Sequence, residues 1–134
     1  QELKDEYKQS EGDPHVKQRL RRLRMERAQN RMMSAVPQSD VVITNPTHFA
    51  VALKYDNATM AAPTVVAKGQ DLVALKIRDI AKENNVPVIE NKPLARTIFK
   101  TIKLGHTIPR ELYKAVAEVL SYVYKLKGKI KTPV

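Results

Sequence analysis

Two apolar runs meet across a tight corner in "DVVITNPTHFAVALKY", residues 40–55. The first, "DVVIT", is β-branched and nearly continuous, and reads as a buried strand. Beyond Asn45 and Pro46, Phe49, Val51, Leu53 and Tyr55 alternate with Ala50, Ala52 and Lys54, the period of two that a strand requires. Whatever this chain becomes must therefore contain a sheet with this corner in it.

The segments that follow complete an α/β pattern. "DNATMAAP" is a loop and "TVVAKG" a third strand ended by Gly69. From Asp71, residues Val73, Ile77, Ile80 and Ala81 share one helical face, and Asn84 and Asn85 close that helix with turn-favouring side chains. "VPVIE" is a short fourth strand. "KPLARTIFKTIKLG" predicts a helix with Pro93 in its first turn and Gly105 past its end. "IPRELYKAVAEVLSYVYKLKG" predicts another, with Leu112, Val116, Val119, Leu120 and Val123 on its apolar stripe. Its Glu111 near the start and lysines near the end suit the helix macrodipole. The expected fold class is a small four-stranded sheet with helices packed around it, preceded by a long basic N-terminal helix.

A chain of 134 residues, 43% hydrophobic, suffices for one compact domain with a real core and hardly for two. Residues 38–134 are accordingly read as the globular domain and residues 1–37 as a helix and linker. Asp13 suits an N-cap and Pro14 the first helical position, and Val16, Leu20 and Leu23 carry the helix on to about Met33. Pro37 and Ser39 mark the linker. No internal repeat or low-complexity segment is visible.

The net charge of +10 is unevenly spread. Residues 1–35 hold nine Lys/Arg and six Asp/Glu, residues 121–134 four and none, and the stretch between eleven and eight. Within the first segment, "VKQRLRRLRMERAQNRMM" sets seven basic residues, Arg19, Arg21, Arg22 and Arg24 among them, against Glu26 alone. Such an arm suits phosphates or anionic lipid headgroups, and equally a merely solvated helix face. There are no cysteines, which excludes a disulfide scaffold, a thiol nucleophile and a cysteine-based zinc site, and fits a reducing cytosol. His15, His48 and His106 stand too far apart in sequence for a metal cluster, so neither metal nor cofactor is expected. No run of eighteen apolar residues and no signal peptide is visible, so this stretch is not expected to cross a membrane by itself, although it can be the soluble part of something larger.

Asn45-Pro46 is open to two readings. Asn-Pro commonly marks a turn. It is also a bond that can break. An asparagine usually deamidates when the next backbone nitrogen attacks its side chain, but proline has no N–H and its nitrogen attacks poorly. The remaining intramolecular route sends the Asn45 carboxamide nitrogen to its own backbone carbonyl, closing a succinimide and expelling Pro46 as a free amine. A fold that holds the nitrogen over that carbon replaces an entropic cost of about 7 to 11 kcal/mol. Donors on the carbonyl oxygen and a base for the carboxamide proton complete the requirement. His48 is placed to assist or orient the bond, and Thr47 to position the turn through its hydroxyl.

"NPTH", lying between "DVVIT" and "FAVALKYD", resembles the cytoplasmic domain of the type III export-gate switch proteins, the FlhB/YscU/SpaS family. "EGDPHVK" is similar to the family's juxtamembrane helix, and "AAPTVVAKG", "VPVIENKPLAR", "GHTIP" and "LYKAVAEVL" to its flagellar branch. The resemblance covers nearly the whole chain, without departure at the four motif positions. It implies self-cleavage between Asn45 and Pro46 with Asn45 as nucleophile, the two pieces staying together in one folded domain. It implies a role in switching export from rod and hook proteins to filament proteins. The partners it implies are those export substrates, the hook-length control protein and other export-gate and export-apparatus components. It further implies transmembrane helices upstream in the full-length protein, placing the basic helix beside the anionic inner leaflet on the cytoplasmic side. Ala62 and Pro63 at a loop edge, with Ala117 and Leu120 beside the stripe of the last helix, are candidates for a shallow apolar groove that takes a hydrophobic segment of an export substrate; the same residues also suit sealing the core.

Two other classes compete. A nucleic-acid-binding module using the arginine-rich arm would bind with steep salt dependence, but the sequence offers only five Tyr, two Phe and no Trp, and no stacking platform is apparent, so nucleic acid is not the expected partner. An inert scaffold whose NPTH is only a corner would stay intact indefinitely. No glycine-rich phosphate loop, paired carboxylates or nucleophile elbow marks a multiple-turnover enzyme.

Overall fold

A computed structural model of the chain describes residues 12–46 and 48–130, the last three of these through the backbone only. Thr47 lies outside the described residues. The chain divides into two compact units, Gln1–Arg31 and Met32–Val134.

The first unit holds most of helix α1, Pro14–Ala35. Asp13 caps it as expected: the His15 N–H donates to Asp13 Oδ1 at 2.9 Å and the Lys17 N–H to the Asp13 carbonyl at 2.9 Å. Pro14 loses nothing at a position whose N–H has no helical acceptor. Basic residues surround the axis, and Leu20, Leu23 and Met25 are all exposed.

The second unit is built on a sheet of β1 (Val41–Asn45), β2 (Phe49–Lys54), β3 (Thr64–Gln70) and β4 (Val88–Glu90), in the order β3-β2-β1-β4. β1 pairs antiparallel with β2 and parallel with β4, and β2 pairs antiparallel with β3. Helices α2 (Leu72–Glu83), α3 (Lys92–Thr101) and α4 (Tyr113–Ile130) follow. Both faces of the sheet are covered, so each strand's alternation sorts residues between two cores. Val41, Ile43, Val51, Leu53 and Val65 pack with Leu94, Ala95 and Ile98 of α3 and Val116, Val119, Leu120 and Val123 of α4. Val42, Ala50, Ala52 and Ala67 face Ala74, Ile77 and Ala81 of α2. The alanines on this second face admit α2 closely. At Gly69 the approach is closer still, since a Cβ there would collide with the Val73 side chain.

The expected linker is not loose chain. Val36–Gln38 forms a 3-10 turn, Val36 is fully buried, and the Ser39 hydroxyl donates to the Val36 carbonyl at 2.7 Å. Met33 and Val36 belong to the α2-side core, and the second unit begins at Met32.

The helix read as running up to Gly105 ends at Thr101. Lys68 of β3 reaches across and donates through Nζ to the carbonyls of Phe99 at 3.0 Å and Ile102 at 2.9 Å, its ammonium 5.2 Å from the Phe99 ring centroid. The chain then turns through Gly105, at φ 84, and its N–H donates to the Val65 carbonyl at 2.7 Å. That pairing with the β3 edge wins over another helical turn. Helix α4 is entered through a 3-10 turn, Arg110–Leu112.

Candidate functional site

The corner between β1 and β2 is a short hairpin in which Asn45 lies opposite Phe49. The His48 N–H donates to the Asn45 carbonyl oxygen at 2.9 Å. This is the carbonyl that cyclisation must attack, and a backbone donor already points at the oxygen on which negative charge would form. The His48 ring lies exposed, its Nδ1 3.3 Å from the Pro46 carbonyl. A carbonyl only accepts, so this contact is a hydrogen bond when Nδ1 carries a proton.

Neighbouring elements hold the corner from both sides. The Asn91 N–H, at the start of α3, donates to the Thr44 carbonyl at 2.9 Å. The Asp71 N–H, ahead of α2, donates to the His48 carbonyl at 2.9 Å. Asp71 makes that bond at φ 54, ψ −119, a left-handed conformation that strains a residue with a Cβ. Phe49 packs against Phe99 of α3, ring centroids 4.8 Å apart. Thr44 is buried and Asn45 half-buried. A narrow cleft at the corner is lined by Thr44, Asn45 and Pro46 together with Ala74 and Arg78 of α2.

Of the residues singled out in the sequence, Asn45, Pro46 and His48 come together at this corner. Ala62, Pro63, Ala117 and Leu120 also come together, with Tyr55 and Tyr113, around a separate groove of about 200 Å³. Ala62 and Leu120 are buried and form its floor; Pro63 is half-buried and Ala117 exposed at its rim. The groove and the core seal are thus the same residues seen from two sides. Arg21 and Arg24 share one face of α1 with Lys17 and Leu20, while Arg19 and Arg22 stand exposed elsewhere around the helix. Sequence reading missed Asp71, Asn91 and Arg78. Asn91 carried a signal, since an asparagine before Lys-Pro is a helix N-cap, and its Oδ1 accepts the Leu94 N–H at 3.2 Å.

Among the described residues no group of His, Asp and Glu is placed to hold a metal ion, and no helix is long and apolar enough to cross a membrane.

The mixed sheet and its covering helices superpose on solved cytoplasmic domains of type III export-gate proteins. The chain belongs to the FlhB HrpN YscU SpaS family, whose model matches residues 1–123. It is 53% identical over 130 residues to the flagellar biosynthetic protein FlhB of Bacillus subtilis, covering 97% of this chain and 36% of that protein. It is 56% identical over 127 residues to that of Escherichia coli, covering 95% of this chain and 33% of that protein. The chain therefore spans about a third of the length of these curated relatives. Among solved structures, the cytoplasmic domain of FlhB from Shewanella putrefaciens superposes with a TM-score of 0.73 at 47% identity, covering 79% of this chain and 84% of that one. A variant EscU C-terminal domain gives a TM-score of 0.68 at 31% identity, covering 74% and 91%.

Proposed function

We propose that this chain is the cytoplasmic domain of a flagellar type III export switch, and that it cuts itself once between Asn45 and Pro46. The observation that carries the reading is the hydrogen bond from the His48 N–H to the Asn45 carbonyl, at the end of a strand held on both sides and directly before a proline. In this reading the Asn45 carboxamide nitrogen attacks the Asn45 carbonyl carbon, His48 N–H stabilises the oxyanion, and Pro46 leaves as an amine. Water or hydroxide takes the carboxamide proton, the Pro46 nitrogen gains one, and water later opens the succinimide. The His48 ring, 3.3 Å from the Pro46 carbonyl, holds the turn. The event is single-turnover and leaves no regenerated enzyme.

The cut frees the corner while β1 and β2 keep their places in a shared core. A changed surface at the corner then licenses the switch from rod and hook substrates to filament substrates. The groove floored by Ala62 and Leu120 and rimmed by Pro63 and Ala117 takes a short hydrophobic segment of an export substrate. The hook-length control protein and other export-apparatus components are the remaining partners. Within residues 1–37, the basic helix with Arg19, Arg21, Arg22 and Arg24 lies beside the anionic inner membrane on its cytoplasmic side, and residues 38–134 form the cleaving domain, into whose core Met33 and Val36 are packed.

The test is denaturing electrophoresis of freshly purified protein beside Asn45→Ala. Two fragments meeting at Asn45 and Pro46, absent from the variant, are the expected result. An uncut chain in both after long incubation at mildly alkaline pH rejects the reading and leaves Asn45-Pro46 a turn.

A further inference from the structure

We infer that Arg78 is the charge-stabilising residue for cyclisation at Asn45, an inference that rests on the self-cleavage reading above. Arg78 projects from the middle of α2 and lines the cleft that Thr44, Asn45, Pro46 and Ala74 complete. Its side chain is half-buried, and its Nε is buried with no hydrogen-bond partner. A buried guanidinium N–H without an acceptor is costly, and native proteins rarely leave one without a use. The group is permanently charged, so its field acts on the cleft at any pH at which the protein folds.

The chemistry at Asn45 needs a cation in that place. Removing a proton from the carboxamide puts negative charge on the Asn45 side chain. Forming the Nδ2–C bond moves that charge to the backbone carbonyl oxygen, where the His48 N–H supplies one donor. A neutral backbone donor meets only part of this demand. A guanidinium carried by a residue that lines the same cleft supplies positive charge beside both positions. The charge is discharged when the C–N bond to Pro46 breaks and the proline nitrogen takes up a proton. Helix α2 delivers both parts of the arrangement: Asp71, just before it, bonds the His48 carbonyl, and Arg78 reaches the cleft from the same face as Ala74.

The test follows cleavage in chains synthesised in a cell-free system, so that uncut protein is present at time zero. The parent, Arg78→Gln, Arg78→Lys and Asn45→Ala are sampled over time and resolved under denaturing conditions. Arg78→Gln should cleave about 10²-fold more slowly than the parent, the scale on which single oxyanion donors act. Arg78→Lys, which keeps the charge, should stay within about tenfold of the parent, a split that loss of packing alone does not produce. Melting each substitution in the uncleavable Asn45→Ala background reports its fold separately. If the glutamine variant does not melt cooperatively there, Arg78→Met against Arg78→Lys makes the same comparison. A parent that cleaves and an Arg78→Gln that cleaves at the same rate overturn the role of Arg78 while leaving self-cleavage standing. A parent that never cleaves overturns both.

Discussion

Replacing Ile43 by alanine should loosen the hold of one half of the cut chain on the other by an amount that can be worked from the fold. Cleavage after Asn45 would make β1 the C-terminal strand of the first piece, yet β1 lies inside the sheet, between β2 and β4. Ile43 is fully buried, paired across the sheet with Val51 on one side and Ile89 on the other, and covered by the α3 and α4 core. Large-to-alanine changes in cores cost about 2 to 5 kcal/mol, the larger values where the site cannot collapse. An interior strand pinned on both edges leaves little room for collapse, so about 3 to 5 kcal/mol is expected. Once the chain is cut, that cost appears as fragment affinity, about two to three and a half decades in Kd. The assay dilutes fully cleaved protein and follows separation of the pieces by gel filtration; in the uncut Asn45→Ala background the same substitution shifts a unimolecular unfolding midpoint with no concentration dependence. Cut Ile43→Ala protein that dissociates at the parent's concentration refutes the reasoning. So does a parent whose pieces part in native buffer.

Ala117→Asp, at the exposed rim of the groove, should weaken substrate export and leave cleavage and melting unchanged; unaltered export places the docking surface elsewhere. Ala62→Asp is a poorer probe, because Ala62 is 4% exposed and a carboxylate there should also destabilise the fold by several kcal/mol, roughly the cost of a buried unpaired charge. Lys68→Met should cost about 2 to 3 kcal/mol by stripping the Phe99 and Ile102 carbonyls of a charged donor, read as a lower urea midpoint at constant slope. The Tyr124 side chain is 49% exposed, so the rise of its phenol above the ordinary 10.0 is a modest one, from partial desolvation first and then from Asp40 and Tyr55. The folded chain therefore keeps a proton that the unfolded chain releases, so its contribution to stability is full below the ordinary tyrosine range and is lost as pH rises through the folded value. Tyr124→Phe should remove a component of an ultraviolet titration that lies above the ordinary tyrosine range, and removal of an ordinary component instead contradicts the assignment.

The strands and helices of the second unit were legible because their apolar residues keep period two or the helical stripe. Partnership was not. Val41–Asn45 reads as a buried strand, but nothing local says that β4 joins its far edge in parallel. The end of α3 was misplaced because the residue that stops it, Lys68, comes from another strand. Pro37 and Ser39 look like linker residues, and their turn is packed because Val36 beside them fills the core. At the candidate site, Asn45, Pro46 and His48 were visible through their chemistry. Arg78 was not, since a lone arginine on an amphipathic helix looks like solvated surface until the fold brings it to a cleft that Asn45 also lines.

Acid quenching of newly cut protein, followed by intact mass measurement of the fragment ending at Asn45, tests the cyclisation most directly. The mechanism predicts a species one water lighter than the free acid, which on return to neutral pH opens to two isomers, one ending in asparagine and the other in aspartate α-amide. A fragment that carries its full carboxylate from the first time point, as asparagine alone, would show that water cut the bond directly and that the Asn45 side chain was never the nucleophile.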